Sequence, residues 1–285
     1  QRSLVGSEMC IRDRNYGENT MNRRIISFDL DQTLLDHSTY SIPTSALYAL
    51  DQLRDNFIIV LGTGRDMDNH YSRQFKEIVK AEATIHLNGT KITVGDQLLF
   101  EHFMEKKLLE QVLCYAQEKE FCIGVTIGDE DYYMNPERVK ELDKKRWGEC
   151  MRHFKDPWEL MDLPIHTLSY LGDEAGAKEI EARFPELKLP MFAGKMGADV
   201  IEKKASKAEG LKRLCHYFGV KMEDAVAVGD SMNDYEIIKE AGLGIAMGNA
   251  IEELKAAADY VTADIGEHGI YKACRHFGWI PEQEF

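Results

Sequence analysis

No apolar run in this 285-residue sequence approaches the roughly 20 residues needed to cross a bilayer. A membrane span is therefore not expected, and residues 1–20 lack the apolar stretch of a secretion signal. The six cysteines (Cys10, Cys114, Cys122, Cys150, Cys215, Cys274) form no C-x-x-C pair, which sets aside a zinc site or a redox motif. A chain of this size needs no disulfide staples, so the thiols read as free in a reducing cytoplasm. The nine histidines include no H-E-x-x-H cluster. Positive charge is in deficit: 35 Lys and Arg stand against 49 Asp and Glu, a formal net charge of −14. Such a surface repels nucleic-acid phosphates and anionic lipid, so neither is an expected partner. A small phosphate ester is not excluded, because a site needs only local positive groups and a metal. G-x-x-x-x-G-K-[ST] is missing, which argues against a P-loop enzyme. Gly62-Thr63-Gly64 begins a G-x-G-x-x-G, but Met67 takes the third glycine position, so a nucleotide-binding dehydrogenase is a poor reading.

What is present suits two hydrophobic cores rather than one. Residues 3–14 show neither strand alternation nor a helical stripe. Residues 1–20 read either as a non-native tail ahead of a start at Met21 or as a disordered extension. Short, nearly continuous apolar runs at 25–28, 57–61 and 225–228 carry the signature of buried parallel strands. Helical stripes separate them, with Leu47, Leu50 and Leu53 on one and Leu211 and Leu214 on another. Residues 90–101 alternate around Gly95-Asp96 and predict a hairpin. The middle changes character, with a helix at 104–119, strands at 121–127, 131–134 and 165–171, and a charged stretch at 137–161 that resists assignment. The economical reading is one α/β core with a doubly wound parallel sheet, built from 21–103 and 198–285, and one α+β domain inserted at 104–197.

Three core strands stop at polar residues: Asp29 with Asp31, Thr63, and Asp230. Ligands bind an open parallel sheet beyond the carboxyl ends of its strands. Residues two apart in extended chain point the same way, so Asp29 and Asp31 can face one site. A lone D-x-D at a strand end is more often a turn or a helix cap. Converging carboxylates repel one another unless a hard cation lies between them, and oxygen-only ligands suit Mg2+.

Phe28-Asp29-Leu30-Asp31-Gln32-Thr33-Leu34 resembles the first motif, D-x-D-x-T, of haloacid dehalogenase (HAD) superfamily phosphatases. Thr63-Gly64-Arg65 resembles the second motif, Lys207 the third, and Gly229-Asp230-Ser231-Met232-Asn233-Asp234 the fourth. Asn88-Gly89, and Ala246-Met247-Gly248-Asn249-Ala250 followed by Ala258-Asp259-Tyr260-Val261-Thr262, narrow the resemblance to the Cof-type, class IIB branch. All the motifs occur in order and at predicted strand ends, over about residues 22–280, which favours catalysis over a turn.

The resemblance implies a Rossmann-like core with a C2B-type cap. It also implies a Mg2+-dependent phosphatase that hydrolyses small phosphorylated metabolites, sugar phosphates or similar, through an aspartyl phosphate. Asp29 would be the nucleophile, and Asp31 the general acid and then base. The metal would be held by the Asp29 carboxylate, the Asp31 backbone carbonyl and Asp230. Thr63, the Gly64 backbone and Lys207 would hold the phosphoryl oxygens, with Asn233 close by and Asp234 supporting the metal and Lys207. Arg65 reads equally as a substrate contact or a surface ion pair. Lys195 is a candidate cap contact, while Asp264 and His268 read as surface loop. Two residues depart from the branch pattern: Gln32 and Ala208 stand where glycine is usual. The rival readings are a phosphoryl transferase of the same fold, such as a phosphomutase, and a metabolite-binding protein without turnover. A monomer or weak homodimer is expected.

Overall fold

The computed structural model describes residues 23–192 and 194–285. The expectation for residues 1–20, Cys10 and Met21 lies outside the described residues. The first part of the chain gives β1 (Arg24–Phe28), α1 (Thr44–Leu53), β2 (Phe57–Gly62), α2 (His70–Val79), β3 (Ala83–His86), β4 (Lys91–Val94) and β5 (Gln97–Glu101). The middle gives α3 (Lys106–Glu118), β6 (Cys122–Ile127), β7 (Glu130–Tyr133), α4 (Pro136–Trp147), β8 (Leu168–Leu171), α5 (Glu174–Arg183), β9 (Leu187–Lys188) and β10 (Ala198–Glu202). The last part gives α6 (Lys207–Phe218), β11 (Val226–Gly229), α7 (Tyr235–Glu240), β12 (Leu243–Ala246), α8 (Glu252–Ala257), β13 (Tyr260–Val261) and α9 (Gly269–His276).

Among the described residues, eight strands form one sheet in the order β13-β12-β11-β1-β2-β3-β4-β5. It is parallel from β13 to β3, and the β4–β5 hairpin adds two antiparallel strands at the edge. The central strands β2 and β11 are buried along their whole length, so their residues are apolar without alternation. Strand order runs outward from β1 in both directions, first through β2 and β3 and later through β11 and β12. The reversal between β1 and β11 leaves a crevice at their carboxyl ends.

A second sheet, β7-β6-β8-β10-β9, is antiparallel throughout. It has its own apolar cluster around Leu109, Val112, Leu113, Ile123, Leu160 and Ile180. Strand β10 belongs to this sheet and pairs with β8 and β9. Residues 198–202 were expected to open the second core segment; the structure corrects this, and the chain re-enters the large sheet's layer only after Glu202. A short strand flanked by apolar residues looks the same in either sheet, so its pattern does not report its partner.

The unreadable stretch at 137–161 contains α4 and a 3-10 turn at Pro157–Asp162. Helix α4 carries no broad apolar stripe. It is fastened by charge instead: the Arg152 guanidinium bridges buried Asp143 of α4, at 2.7 Å, and buried Asp131 of β7, at 2.9 Å.

The turn after β3 is conformationally costly. Leu87, Asn88 and Gly89 all have positive φ (49°, 54° and 93°). Asn88 N donates to Thr63 O, and Leu87 N to Arg65 O, which ties the turn to the end of β2. A Cβ at Gly89 would lie 2.1 Å from Ser206 O, just ahead of α6. Only glycine lets the turn and the start of α6 approach so closely. Gly89→Ala is expected to cost on the order of 2–3 kcal/mol, from strain at positive φ and displacement of Ser206. Urea unfolding measures this, and a wild-type midpoint would show that the turn can move off α6.

Candidate active site

The crevice gathers the ends of three strands. Asp29 follows β1, and its N–H donates to Val228 O at 2.9 Å, extending the ladder with β11 by one residue. Thr63 follows β2, fully buried, with its N–H on Ile85 O and its Oγ1 accepting from Arg65 N. Asp230 follows β11. Lys207 opens α6, whose first turn is capped by the Ser206 hydroxyl accepting from Glu209 N at 3.1 Å.

The Lys207 ammonium is 1% exposed and lies between two carboxylates, donating to Asp29 Oδ1 at 2.6 Å and to Asp234 Oδ1 at 2.7 Å. Asp234 turns its other oxygen onto the backbone N–H groups of Asp230 and Ser231, at 3.1 and 3.2 Å. Both of its oxygens are thus engaged inside the protein. Carboxylate oxygens of Asp29, Asp230 and Asp234 lie within 4.8 Å of one another, and all three residues are buried. Burial pushes the Asp29 carboxyl up to about 7; Lys207 pulls it down, and Asp234 and Asp31 add to the rise. Burial, then Asp29 and Asp234, hold Asp230 well above the usual carboxylate range. Burial works against the charge of Lys207, but Asp234 and Asp29 outweigh it and raise its pKa. One ammonium facing three buried carboxylates leaves negative charge uncompensated, and that donor set fits a hard divalent cation.

Asp31 sits at the cavity side. Arg65 grips it with two nitrogens, Nε on Oδ2 at 2.7 Å and Nη2 on Oδ1 at 2.5 Å, and His37 Nε2 lies 2.6 Å from Oδ1. Burial alone would raise its pKa, yet the His37 and Arg65 contacts lower it. Arg65 therefore forms its ion pair within the site itself.

Gln32 has φ 61°, a left-handed conformation that explains why glycine is usual there. A side chain at that φ costs roughly 1–2 kcal/mol. Asn249 helps hold the loop, donating from Nδ2 to Gln32 O at 2.8 Å and accepting on Oδ1 from Ile265 N at 2.9 Å. Ala208 is buried within α6 and keeps helical geometry without a glycine.

These groups open into a cavity of about 600 Å3. Of the residues singled out in the sequence, Asp29, Asp31, Gly64, Arg65, Asp230 and Asn233 line it, while Lys207 and Asp234 lie behind Asp29. Lys195 does not line it; it borders a neighbouring cleft of about 390 Å3, beside the Lys188–Glu236 ion pair. The middle segment instead contributes Arg146, Phe192 and Met196. His37 and Asp199 also line the cavity and were not anticipated. The signal for Asp199 was available: it is an acid inside an apolar run eight residues before Lys207. Asp264 and His268 do not line this cavity; His268 bonds Ser45 at 2.9 Å.

The model of the haloacid dehalogenase-like hydrolases matches residues 26–274. Phosphatase YwpJ of Bacillus subtilis (strain 168) is 28% identical over 286 residues, covering 89% of this chain and 99% of that protein. The solved structure of the HAD subclass IIB sugar phosphatase BT4131 is similar at TM-score 0.79 and 27% identity, covering 90% of this chain and 100% of that one. BT1666 from Bacteroides thetaiotaomicron, described among phosphatases of the haloalkanoate (HAD) enzyme superfamily, is similar at TM-score 0.82 and 26% identity, over 95% and 100% of the two chains.

The acid cluster gives a stability prediction with a definite sign. Asp29 and Asp230 have folded pKa values above their unfolded ones, so ionising them penalises the folded state. The penalty is absent below about pH 4 and grows as pH rises towards 7 and beyond. With chelator at pH 8, Asp230→Asn is expected to raise the melting temperature by a few degrees, about 2–4 °C per kcal/mol. The gain shrinks towards pH 4, and added divalent cation stabilises the wild type more than the variant. A lower melting temperature for Asp230→Asn at pH 8 would mean that the carboxylate is a net stabiliser.

Proposed function

The chain belongs to the haloacid dehalogenase-like hydrolase family and is a phosphatase for small phosphorylated substrates; from that premise we propose Mg2+-dependent hydrolysis of sugar phosphates or similar metabolites through an aspartyl phosphate on Asp29. The observation that carries this reading is the Asp29 carboxylate itself. It stands at the switch point of the sheet, held by a buried ammonium, beside a second carboxylate and at the floor of a cavity of about 600 Å3.

An Asp29 oxygen attacks phosphorus, the bond from phosphorus to the leaving oxygen breaks, and the leaving alcohol takes a proton from Asp31. Water then attacks the acyl phosphate, Asp31 takes its proton, and Asp29 is released with inorganic phosphate. The grip of Arg65 and His37 favours Asp31 as a carboxylate, the form that acts as base in the second step. Acting as acid in the first step requires substrate to loosen that grip. Gly64 and Asn233 line the cavity beside Asp29, and with Thr63 and Lys207 behind them they would bind the oxygens of the transferring phosphoryl group. Asp29, the Asp31 carbonyl and Asp230 would hold Mg2+, with Asp234 behind them, and the ion would lower the repulsion between carboxylate and phosphate. Asp234 suits the supporting role because its own oxygens are already engaged. Specificity would come from the middle segment as a cap, through Arg146, Phe192 and Met196.

Phosphate release from a panel of phosphorylated sugars, nucleotides and cofactors tests the proposal, with Mg2+ or chelator. Release should require the metal, and Asp29→Asn should lower it by about 10^3-fold or more. Isomerised product without free phosphate would make the protein a phosphoryl transferase. Metal-independent release, or an active Asp29→Asn, would remove the nucleophile assignment.

A further inference from the structure

Asp199 brings a carboxylate from the smaller sheet into the catalytic cavity, where nothing in the two-step chemistry uses it. Among the described residues no ion pair with it is seen, and its side-chain hydrogen bond is with Asn88, whose Nδ2 lies 2.9 Å from Asp199 Oδ2. Asn88 Oδ1 in turn accepts from Asn233 Nδ2 at 3.1 Å, and Asn233 Oδ1 accepts from the Ser231 hydroxyl at 2.8 Å. The run crosses from β10, over the strained turn after β3, to the loop after β11.

The direction of this run follows from what each group can offer. A side-chain amide has nearly the same shape in its two orientations, so packing alone selects neither. An ionised carboxylate only accepts, so Asn88 must turn its Nδ2 towards Asp199. That leaves Asn88 Oδ1 facing Asn233, which only Asn233 Nδ2 can answer. Asn233 Oδ1 is then committed to Ser231, and its second Nδ2 hydrogen is left for an occupant of the cavity. Asn88 is 1% exposed and adopts φ 54°, a conformation maintained only where the surroundings demand it. An amide at position 199 would leave both orientations open, because it can donate as well as accept. Burial raises the Asp199 pKa to about 6, against the pull of Asn88 and Lys207, so near pH 7 and above the acceptor form prevails.

We propose that Asp199 is a positioning residue: it fixes the orientation of Asn88 and, through it, of Asn233, so that Asn233 presents N–H rather than C=O to the transferring phosphoryl group. The inference rests on the reading of Asn233 as a phosphoryl contact, and it gives the smaller sheet a part in the chemistry beyond covering the site.

The test compares wild type, Asp199→Asn, Asn88→Ala and the double variant, as the full chain, with two readouts. The first is the side-chain Nδ2 resonance pair of Asn233 in 15N-labelled protein, with and without inorganic phosphate, assigned by its loss in Asn233→Ala. The second is kcat and KM on the best substrate of the phosphatase panel. Asp199→Asn is expected to shift the Asn233 pair, although the side chain of residue 199 bonds Asn88 and not Asn233, and to lower kcat about tenfold, the worth of one hydrogen bond, with KM little changed. On the Asn88→Ala background the same substitution should add nothing to either readout. Asp199→Ser serves as a second variant should Asp199→Asn fold poorly. Asn233 resonances that stay in place in Asp199→Asn, or effects of the two single variants that multiply, would overturn the relay. A wild type that releases no phosphate would instead remove the reading of the site, and the resonances alone would then decide whether Asp199 orients Asn233.

Discussion

The ammonium of Lys207 is the interaction on which this site depends. Among the described residues it is the one cation within hydrogen-bond reach of both Asp29 and Asp234, and all three side chains are almost wholly out of solvent. Taking an ion from water into a protein interior costs several kcal/mol, and its partners offset that only with short, well-directed contacts. The contacts here are of that kind, and they fix more than charge. Asp234 binds the backbone of the loop after β11, so the lysine indirectly sets where Asp230 lies. Asp29 prolongs the β1–β11 ladder, so the lysine also braces the centre of the sheet. Asp29, the acid cluster and the sheet are therefore held by one group at the start of α6.

The parts legible in the sequence are those whose physics is local. Strands β1, β2 and β11 are buried on both faces and read as apolar runs, and the polar residues that end them are the ones that converge. Lys207 was legible by its place at a helix start, although Lys203 and Lys204 stand nearby. Helix α4 was illegible because its anchor is the Arg152 bridge between two buried acids rather than an apolar stripe, and periodicity registers only the latter. The boundary drawn at 197 falls short of β10, which joins the smaller sheet, because five residues do not say which edge they will join. Asp199 went unread for the same reason: its meaning depends on Asn88 and Asn233, which are distant in sequence. The glycine-to-glutamine departure at position 32 becomes intelligible only with its φ in hand.

The two sheets divide the work. The large one supplies the groups that, on the proposed reading, any phosphate monoester would meet: carboxylates, an ammonium, a buried hydroxyl and backbone N–H groups. The residues that differ in kind, Arg146, Phe192 and Met196, enter the cavity from the smaller sheet's side and, on the proposed reading, would face whatever is attached to the phosphate. A flat aromatic, a thioether and a guanidinium can accommodate a leaving group with both apolar and polar faces. Arg146 also donates to Met196 O at 3.0 Å, which links two of these three residues.

The pairing of β1 with β11 has a consequence for how the enzyme comes into being. Asp29 comes before almost every element of the fold, but its ladder partner is Val228 and its ammonium is Lys207. The loop carrying Asp31 is tied down by Asn249, which is itself held by Ile265. During synthesis from the N-terminus, β1 and β2 emerge early and form half a sheet whose open edge is the place of β11. The inserted segment, with its own apolar cluster, can collapse meanwhile, but the residues of the site come together only after Ile265 has left the ribosome. A truncated or stalled nascent chain would carry Asp29 and Asp31 without the means to use them. The site therefore assembles only when segments far apart in sequence meet, and the unpaired flank of β1 is what a growing chain must keep from other partners until β11 arrives.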